Sequence, residues 1–177
     1  MKIDKIIFLD IDGVLNSDEF ARWCVANPNF VKNGGNHFVS PLLVGRIIKI
    51  CNDTRAKIVL TSSWRLFEFD NTIKNLSSYR DLKPIIDRMV GITPRTQERI
   101  RGLEIKYFLN DCRKDHMDSE LISKDDEIVR YPEYVIIDDD TDMLNEQLEH
   151  FVHTDFITGI TDTDVEKAIK ILNDENK

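Results

Sequence analysis

Two groups of carboxylates each follow a short apolar run of the sequence. Asp10 and Asp12 come directly after the run at residues 6–9, and an acidic stretch at residues 138–142 follows the run at residues 134–137. Carboxylates that lie close together at low dielectric either take up protons or hold a cation. Each group alone could simply end a strand or cap a helix, but native structures rarely cluster uncompensated charge. The pattern therefore favours a site for Mg²⁺, which binds carboxylate oxygens together with a substrate phosphate.

The spacing of Asp10 and Asp12 predicts different roles for the two carboxyl groups. A residue at a strand tip can direct its carboxylate into a site as a nucleophile. The residue two positions later can present its carboxyl group to the leaving oxygen, and Gly13 allows the chain to turn away without a Cβ clash. One group attacks while the other transfers a proton, which is covalent catalysis with acid–base assistance.

The segments around these groups predict an α/β fold. Residues 6–9, 58–60 and 134–137 are apolar without alternation, as buried parallel strands are, and residues 151–153 are a weaker fourth candidate. Segments with helical spacing lie between them. This order predicts a three-layer, Rossmann-like domain, in which a parallel sheet carries helices on both faces. Ligands bind such sheets at the carboxyl ends of the strands, which is where both acidic groups lie.

Three helices are predicted to have a defined apolar side. The first begins at Ser40-Pro41, an N-cap followed by a proline in the first turn. The residues expected to face the core are, helix by helix, Leu43, Ile47 and Ile50; Ile100, Leu103, Tyr107 and Phe108; and Val165, Ile169 and Leu172.

Length and composition predict one globular domain over residues 1–177. The chain is 41% apolar, which suffices for a core, and 24 basic against 32 acidic residues give a net charge of −8. An acidic balance argues against a general binder of nucleic acid or of membrane surfaces. No apolar run approaches the roughly 20 residues of a membrane span, and no signal-peptide pattern is present, so we expect a cytoplasmic protein.

Four segments resemble, in order, the four motifs of the haloacid dehalogenase (HAD) superfamily. The first is Asp-Ile-Asp-Gly-Val-Leu at residues 10–15, where an apolar strand followed by this acidic turn is a specific signal. Leu-Thr-Ser-Ser-Trp-Arg at residues 60–65 resembles the second motif, and residues 99–106 stand in the place of the third. The acidic stretch within residues 135–142 resembles the fourth. The resemblance implies a HAD-like fold and phosphoryl transfer.

The resemblance also implies roles for individual acidic residues. Asp10 would attack phosphorus and form an aspartyl-phosphate, while Asp12 would protonate the leaving oxygen and then activate water. Mg²⁺ would be held by Asp10, by Asp138 and by the backbone carbonyl of Asp12, with Asp139 as a further ligand or one that acts through water.

Contacts with the phosphate are implied for the second and third motifs. Ser62 is preferred over its two hydroxyl neighbours, Thr61 and Ser63, because the strand is expected to stop there. For the cation of the third motif, Arg101 and Lys106 both qualify, and Arg101 is preferred because it lies near the helix start. Arg65 and Asn16 complete the candidate substrate-binding residues.

The substrate class depends on how open the site is. The gaps at residues 17–40 and 66–99 are too short for a large cap domain and leave room only for small lid segments. An open site suits a large substrate such as a nucleic-acid end, and the chain is similar to the phosphatase domains of polynucleotide kinase–phosphatases. Residues 80–106 carry seven basic and four acidic residues, a local excess that would attract such an end. The alternatives are a phosphatase of small molecules or nucleotides and a non-catalytic HAD-like binding module.

Overall fold

Strands and helices alternate along the chain, as predicted. A computed structural model describes residues 4–32, 38–117 and 132–173. The elements are β1 (Lys5–Leu9), α1 (Asp18–Ala26), α2 (Pro28–Lys32), α3 (Pro41–Thr54), β2 (Lys57–Leu60), α4 (Phe69–Leu76), a 3₁₀ turn (Arg80–Leu82), α5 (Lys83–Ile86), β3 (Met89–Ile92), α6 (Arg101–Met117), β4 (Glu133–Asp138), a 3₁₀ helix (Asn145–His150), β5 (Phe151–His153) and α7 (Asp162–Asn173).

The five strands form one sheet in the order β3-β2-β1-β4-β5, and every pair of neighbours is parallel. β1 is the central strand. β2 and β3 lie on one side of it, and β4 and β5, which come later in the chain, lie on the other. In an open parallel sheet, the point where the strand order reverses leaves a crevice at the carboxyl ends of the strands. Here that point lies between β1 and β4, which carry the two acidic groups.

Both faces of the sheet are covered, which confirms the three-layer architecture and explains why the strands read as unbroken apolar runs. Ile7 and Leu9 of β1 belong to the core cluster that α3 and α7 complete. Ile6 and Phe8 point to the opposite face, where Ile105 of α6 joins their cluster. The described chain has no large cap domain, and none of its helices combines the length and the apolar character that a membrane span requires.

The first and last predicted helices are confirmed. α3 begins after Ser40, whose Oγ accepts a hydrogen bond from the backbone N–H of Leu43, and Pro41 occupies the first turn. All three predicted apolar positions of α3 are buried. In α7, Val165 and Leu172 are buried and Ile169 packs against the same core cluster.

The prediction for the apolar side of α6 is wrong at Ile100 and Tyr107, which are 37% and 50% exposed. Leu103 is half-buried and Phe108 packs against the core. Ile105 and Leu109, which were not assigned to that side, are buried. Apolar spacing misjudged the rotation of this helix because its buried side also carries a charged residue, Glu104, which is 5% exposed. A count of apolar residues assigns such a position to solvent.

The edge strand β3 was not predicted, because it is only four residues long and contains Gly91. It lies within residues 66–99, where the sequence left room for a lid. Most of that segment packs into the core instead, since Leu76, Leu82 and Ile85 are buried there. Of the other lid segment, residues 17–40, the structure describes α1 and α2, while residues 33–37 lie outside the described ranges.

Gly102 is needed because α6 begins in close contact with the segment that follows β4. A Cβ at this position would lie 2.6 Å from the backbone nitrogen of Leu144 and 2.6 Å from Oε1 of Gln147. Gly102→Ala should therefore destabilise the protein by about 1–2 kcal/mol, measured by urea denaturation. Gly45, inside α3, is the matched control because a Cβ there meets nothing within 4 Å. Gly45→Ala should stabilise the protein by about 0.5–1 kcal/mol; equal effects of the two substitutions would contradict the packing argument.

Candidate active site

Asp10, Asp138 and Asp139 meet at the carboxyl edge of the sheet. Leu9 of β1 is paired with Ile137 of β4, so the next residues, Asp10 and Asp138, are side by side. The backbone N–H of Asp10 donates to the carbonyl of Ile137 at 3.0 Å. One carboxylate oxygen from each of the three aspartates lies within 4.8 Å of the other two. The structure thus brings together the two acidic groups that the sequence places after different strands.

Two of these carboxyl groups are almost completely removed from water. Asp10 is 4% exposed and Asp138 is 0% exposed. Burial raises the pKa of Asp10 to about 6, although the guanidinium of Arg101 opposes the shift. Burial and the neighbouring Asp10 raise the pKa of Asp138 to about 8. Burial, together with Asp140, also raises the pKa of Asp139. Ionising these three carboxyl groups in the metal-free site therefore costs free energy.

The carboxylates fit a divalent cation that takes oxygen ligands. Within the described residues, Oδ1 of Asp10 and Oδ2 of Asp138 are buried and have no hydrogen-bond partner. Buried polar atoms are normally hydrogen-bonded, so these two oxygens, which have the guanidinium of Arg101 nearby but accept no hydrogen bond, are open to a further ligand. Hard oxygen donors of this kind suit Mg²⁺. Asp139 supplies a third, partly exposed carboxylate at the same place.

Arg101, and not Lys106, lies beside these carboxylates. Its Nε is 3.2 Å from Oδ2 of Asp138, and its Nη1 is 3.8 Å from Oδ1 of Asp10. Lys106 is exposed farther along α6, where its Nζ is 2.9 Å from Oε1 of Glu146. Of the two cations that the third motif offered, the geometry therefore favours Arg101 as the one that meets a phosphate.

The start of α6 is held in place by the loop after β4. The backbone N–H of Arg101 donates to Oδ2 of Asp142 at 2.8 Å, and that of Gly102 donates to the carbonyl of Asp142 at 3.2 Å. A carboxylate at a helix N-terminus satisfies backbone groups that otherwise lack partners. Asp142, grouped with the acidic motif by sequence, thus helps to position Arg101.

Asp12 is exposed and its carboxylate is oriented by three donors. The indole Nε1 of Trp64 donates to both oxygens at 3.0 and 2.9 Å, Nδ2 of Asn16 donates at 2.8 Å, and Oγ of Ser63 donates at 3.3 Å. Oδ1 of Asn16 also accepts from the backbone N–H of Gly13 at 2.8 Å. This geometry favours a role for Asn16 in holding Asp12 over the predicted contact with substrate.

The turn after the two motif-one aspartates depends on Gly13. Its φ is +64°, in the left-handed region that favours glycine. A Cβ here would lie 2.3 Å from the carboxyl group of Asp139. The glycine therefore lets the turn after β1 pass close to the loop after β4, which keeps Asp12 near the three metal-site carboxylates.

Ser62 is fully buried just after β2, and its hydroxyl lies close enough to the Asp10 carboxylate to lower the pKa of Asp10, against the larger effect of burial. Its Oγ accepts a hydrogen bond from the backbone N–H of Trp64 at 3.3 Å. The neighbouring hydroxyls have other partners, since Oγ1 of Thr61 accepts from Oγ1 of Thr93 at 3.2 Å and Oγ of Ser63 donates to Asp12. The choice of Ser62 as the phosphate-binding hydroxyl stays a prediction.

Arg65 is buried in a network that joins the loop after β2 to α6. Its Nε donates to the carbonyl of Thr93 at 3.1 Å, its Nη1 to the carbonyl of Ser62 at 2.5 Å, and its Nη2 to Oε2 of Glu104. Oε1 of Glu104 in turn accepts from the backbone N–H of Thr96. Because every guanidinium nitrogen donates within the protein, this geometry favours a positioning role for Arg65 over the predicted contact with substrate.

Sequence reasoning gave no role to Glu104, and it did not foresee the contacts that Trp64 and Asp142 make. The indole of Trp64, the carboxylate of Glu104 and the capping by Asp142 all act between segments that are far apart in the chain. Trp64 carried the best available signal, because it follows the hydroxyls of the second motif directly. A buried ion pair such as that of Glu104 has no local signature.

Comparison with known proteins finds a family match over most of the chain. Residues 6–165 match the sequence model of a family described as "HAD domain in Swiss Army Knife RNA repair proteins". The match covers the sheet except for Lys5, and it includes every residue of the site described above. Neither the curated proteins nor the solved structures contain a significant match to the chain.

Replacing Asp138 with asparagine should stabilise the metal-free protein. The pKa of Asp138 is raised from 3.8 to about 8, so the folded state loses stability as the pH rises through that interval, and asparagine avoids the loss. In EDTA at the upper end of this range, Asp138→Asn should unfold a few degrees higher, equivalent to about 1 kcal/mol or more. Mg²⁺ should raise the melting temperature of the wild-type protein and not that of the variant.

The control for this measurement is Asp140→Asn, which changes an exposed carboxyl group in the same loop. It should shift the melting temperature in EDTA far less and should keep the response to Mg²⁺. If Asp138→Asn were less stable than the wild-type protein in EDTA, this would contradict the prediction that the buried carboxyl group destabilises the folded protein.

Proposed function

The chain belongs to the family of HAD domains in Swiss Army Knife RNA repair proteins, and from this membership we propose that it is a Mg²⁺-dependent phosphatase that acts through an aspartyl-phosphate. The observation that carries the proposal is the meeting of Asp10 with Asp138, Ser62 and Arg101 in one buried site. A nucleophile, a cation site and two phosphate-binding groups are the parts that phosphoryl transfer requires. The intact pair of Asp10 and Asp12 argues against a module that only binds.

The residues that would hold Mg²⁺ are Asp10, Asp138 and Asp139, together with the backbone carbonyl of Asp12 inferred from the superfamily. Bound there, the ion supplies positive charge that offsets the repulsion between the carboxylates and a phosphate. Its loss should leave the carboxyl groups prone to protonation, because their pKa values are raised by burial.

In the first step, a carboxylate oxygen of Asp10 forms a bond to phosphorus as the bond to the leaving oxygen breaks. Asp12 gives its proton to the leaving oxygen. Trp64 and Asn16 support this role because their hydrogen bonds hold the Asp12 side chain in one orientation. Arg101 and Ser62 donate to the phosphoryl oxygens, which is where positioned donors contribute most.

In the second step, Asp12 takes a proton from a water molecule whose oxygen forms the new bond to phosphorus. The bond between phosphorus and Asp10 breaks, which releases inorganic phosphate and restores the Asp10 carboxylate. The proton that Asp12 gave to the leaving group is thereby replaced, so both residues return to their starting states.

We assign the substrate to phosphorylated nucleic-acid ends. The family description refers to RNA repair, and the described residues form no large cap domain that would restrict access to the site. A strand end is long and flexible, so it can enter an open crevice that would bind a small metabolite poorly. A phosphatase of nucleotides or other small molecules is the competing assignment, and substrate panels separate the two.

Substitutions at Asp10 and Asp12 should have different dependences on the leaving group. Asp10→Asn should lower kcat/KM on every phosphomonoester by at least about a thousandfold, because it removes the nucleophile. Asp12→Asn should lower kcat/KM by about 10²–10⁴-fold on a nucleotide, whose leaving oxygen needs a proton. Asp12→Asn should lower kcat/KM much less on p-nitrophenyl phosphate, whose phenolate leaves unprotonated. Phosphate release measured with Mg²⁺, and with EDTA as the inactive control, checks both results; equal losses on the two substrates would remove the acid role.

Arg101 and Lys106 form a matched pair for testing the third motif. Arg101→Gln should lower kcat/KM by about 10²–10³-fold, as the loss of one transition-state donor does elsewhere. Lys106→Gln breaks an exposed ion pair with Glu146, away from the buried carboxylates, and should stay close to the wild-type rate. The reverse order of the two variants would show that Lys106 is the phosphate-binding cation.

A further inference from the structure

A groove opens beside Arg101. It lies between the loop after β2 and the segment that leads into α6, and its volume is about 590 Å³. Phe67, Arg95, Gln97, Arg99 and Arg101 are among the residues that line it. We call it the arginine groove. It adjoins the candidate active site and shares several residues with it, Arg101 among them.

The positive charge in the arginine groove is available to a ligand. Among the described residues, the guanidinium of Arg99 makes no hydrogen bond or ion pair, and Arg95 uses only Nη2, which donates to the carbonyls of Ser63 and Arg65. Two acidic residues on the wall are occupied, because Glu104 pairs with Arg65 and Asp142 caps α6. Asp140 is the remaining acidic wall residue. Arginine forks of this kind match the oxygens of a phosphodiester.

Phe67 adds an aromatic surface to the arginine groove. Its side chain is 91% exposed, and the guanidinium carbon of Arg95 lies 5.9 Å from its ring centroid. Exposed aromatic rings next to cations are the usual platform for single-stranded nucleic acids, because every base has a face that can stack. A small anion would need only the arginines, so the ring indicates a ligand that also carries bases.

The cleft on the other side of the site has the opposite charge. It is lined by Asp12, Asp18 and Asp139 together with Phe38 and Phe156, and none of the described residues on its wall is a lysine or an arginine. Carboxylates there would repel the phosphodiesters of a strand. The charge distribution therefore directs the strand into the arginine groove and away from the Asp12 cleft.

We propose that the arginine groove binds the nucleotides next to the phosphorylated end of a single-stranded nucleic acid. Arg95 and Arg99 hold the first phosphodiester beyond the terminal phosphate, and Phe67 stacks on a base. This inference rests on the proposed phosphatase function and deepens it, because it assigns the chain's preference for strand ends over mononucleotides to named residues.

The first test measures binding and does not depend on turnover. A fluorescent, single-stranded oligoribonucleotide with a terminal phosphate, at either its 3′ or its 5′ end, is titrated into Asp10→Asn protein and followed by anisotropy. Adding Arg99→Glu should weaken binding by about tenfold or more, since it replaces a phosphate contact with repulsion. Arg55→Glu is the matched control. Arg55 is also exposed, and its φ of 64° is similar to the 55° of Arg99. It precedes β2 and therefore lies at the amino ends of the strands, away from the groove.

The second test compares substrates of increasing length in the active protein. In the wild-type chain, kcat/KM should rise when a second nucleotide is added to a mononucleotide substrate. Phe67→Ala should reduce that gain, whereas Phe156→Ala, which changes the Asp12 cleft, should leave it intact. Each kcat/KM is divided by the kcat/KM of the same variant for p-nitrophenyl phosphate, so a general loss of catalytic activity does not affect the comparison.

Three results would overturn the inference. Equal weakening by Arg99→Glu and Arg55→Glu would mean that only overall charge matters. Loss of the length effect in Phe156→Ala and not in Phe67→Ala would put the strand in the Asp12 cleft. An acidic phosphopeptide that binds more tightly than the oligoribonucleotide would assign the groove to a protein substrate. Failure of the wild-type protein to hydrolyse any phosphomonoester would instead refute the proposed function, and the binding test would still decide the occupant of the groove.

Discussion

Burying two carboxyl groups side by side is the constraint that the rest of the structure satisfies. β1 and β4 are adjacent and in register, so Asp10 and Asp138 lie side by side at the carboxyl ends of these strands. This is the point in the sheet where the strand order reverses. Desolvation makes their charges costly, which is seen in their raised pKa values and in carboxylate oxygens without hydrogen-bond partners. Arg101 offsets part of that cost, and a bound divalent cation would offset more.

Most of the unusual packing around the site keeps Arg101 in position. α6 begins at this residue, and its first turn is capped by Asp142 and packed so tightly that Gly102 is required. The buried pair of Arg65 and Glu104 ties the same helix to the loop after β2. A buried ion pair contributes less to stability than its contacts suggest, because both partners lose their hydration. We infer that this pair serves to align the loop after β2 with Arg101.

The parts of the fold that were predicted correctly are those with a local cause. The central strands are buried on both faces and therefore consist of unbroken apolar runs, and α3 begins with a side-chain cap and a proline. The short edge strand β3 and the rotation of α6 were missed because the local apolar pattern does not indicate them. Gly91 weakens the strand signal, and the burial of Glu104 depends on Arg65, which lies 39 residues earlier in the chain.

By itself, the sequence determined which chemical groups stand at the strand ends, because apolar runs, acidic turns and glycines act over a few neighbouring residues. It favoured Arg101 over Lys106 only from its place at the helix start, and it could not tell that Asn16 and Trp64 contact Asp12. Which side chains lie beside the buried carboxylates was decided by tertiary structure. A helix presents one side or another according to what it packs against, and its partners here come from distant segments that only the folded chain brings together.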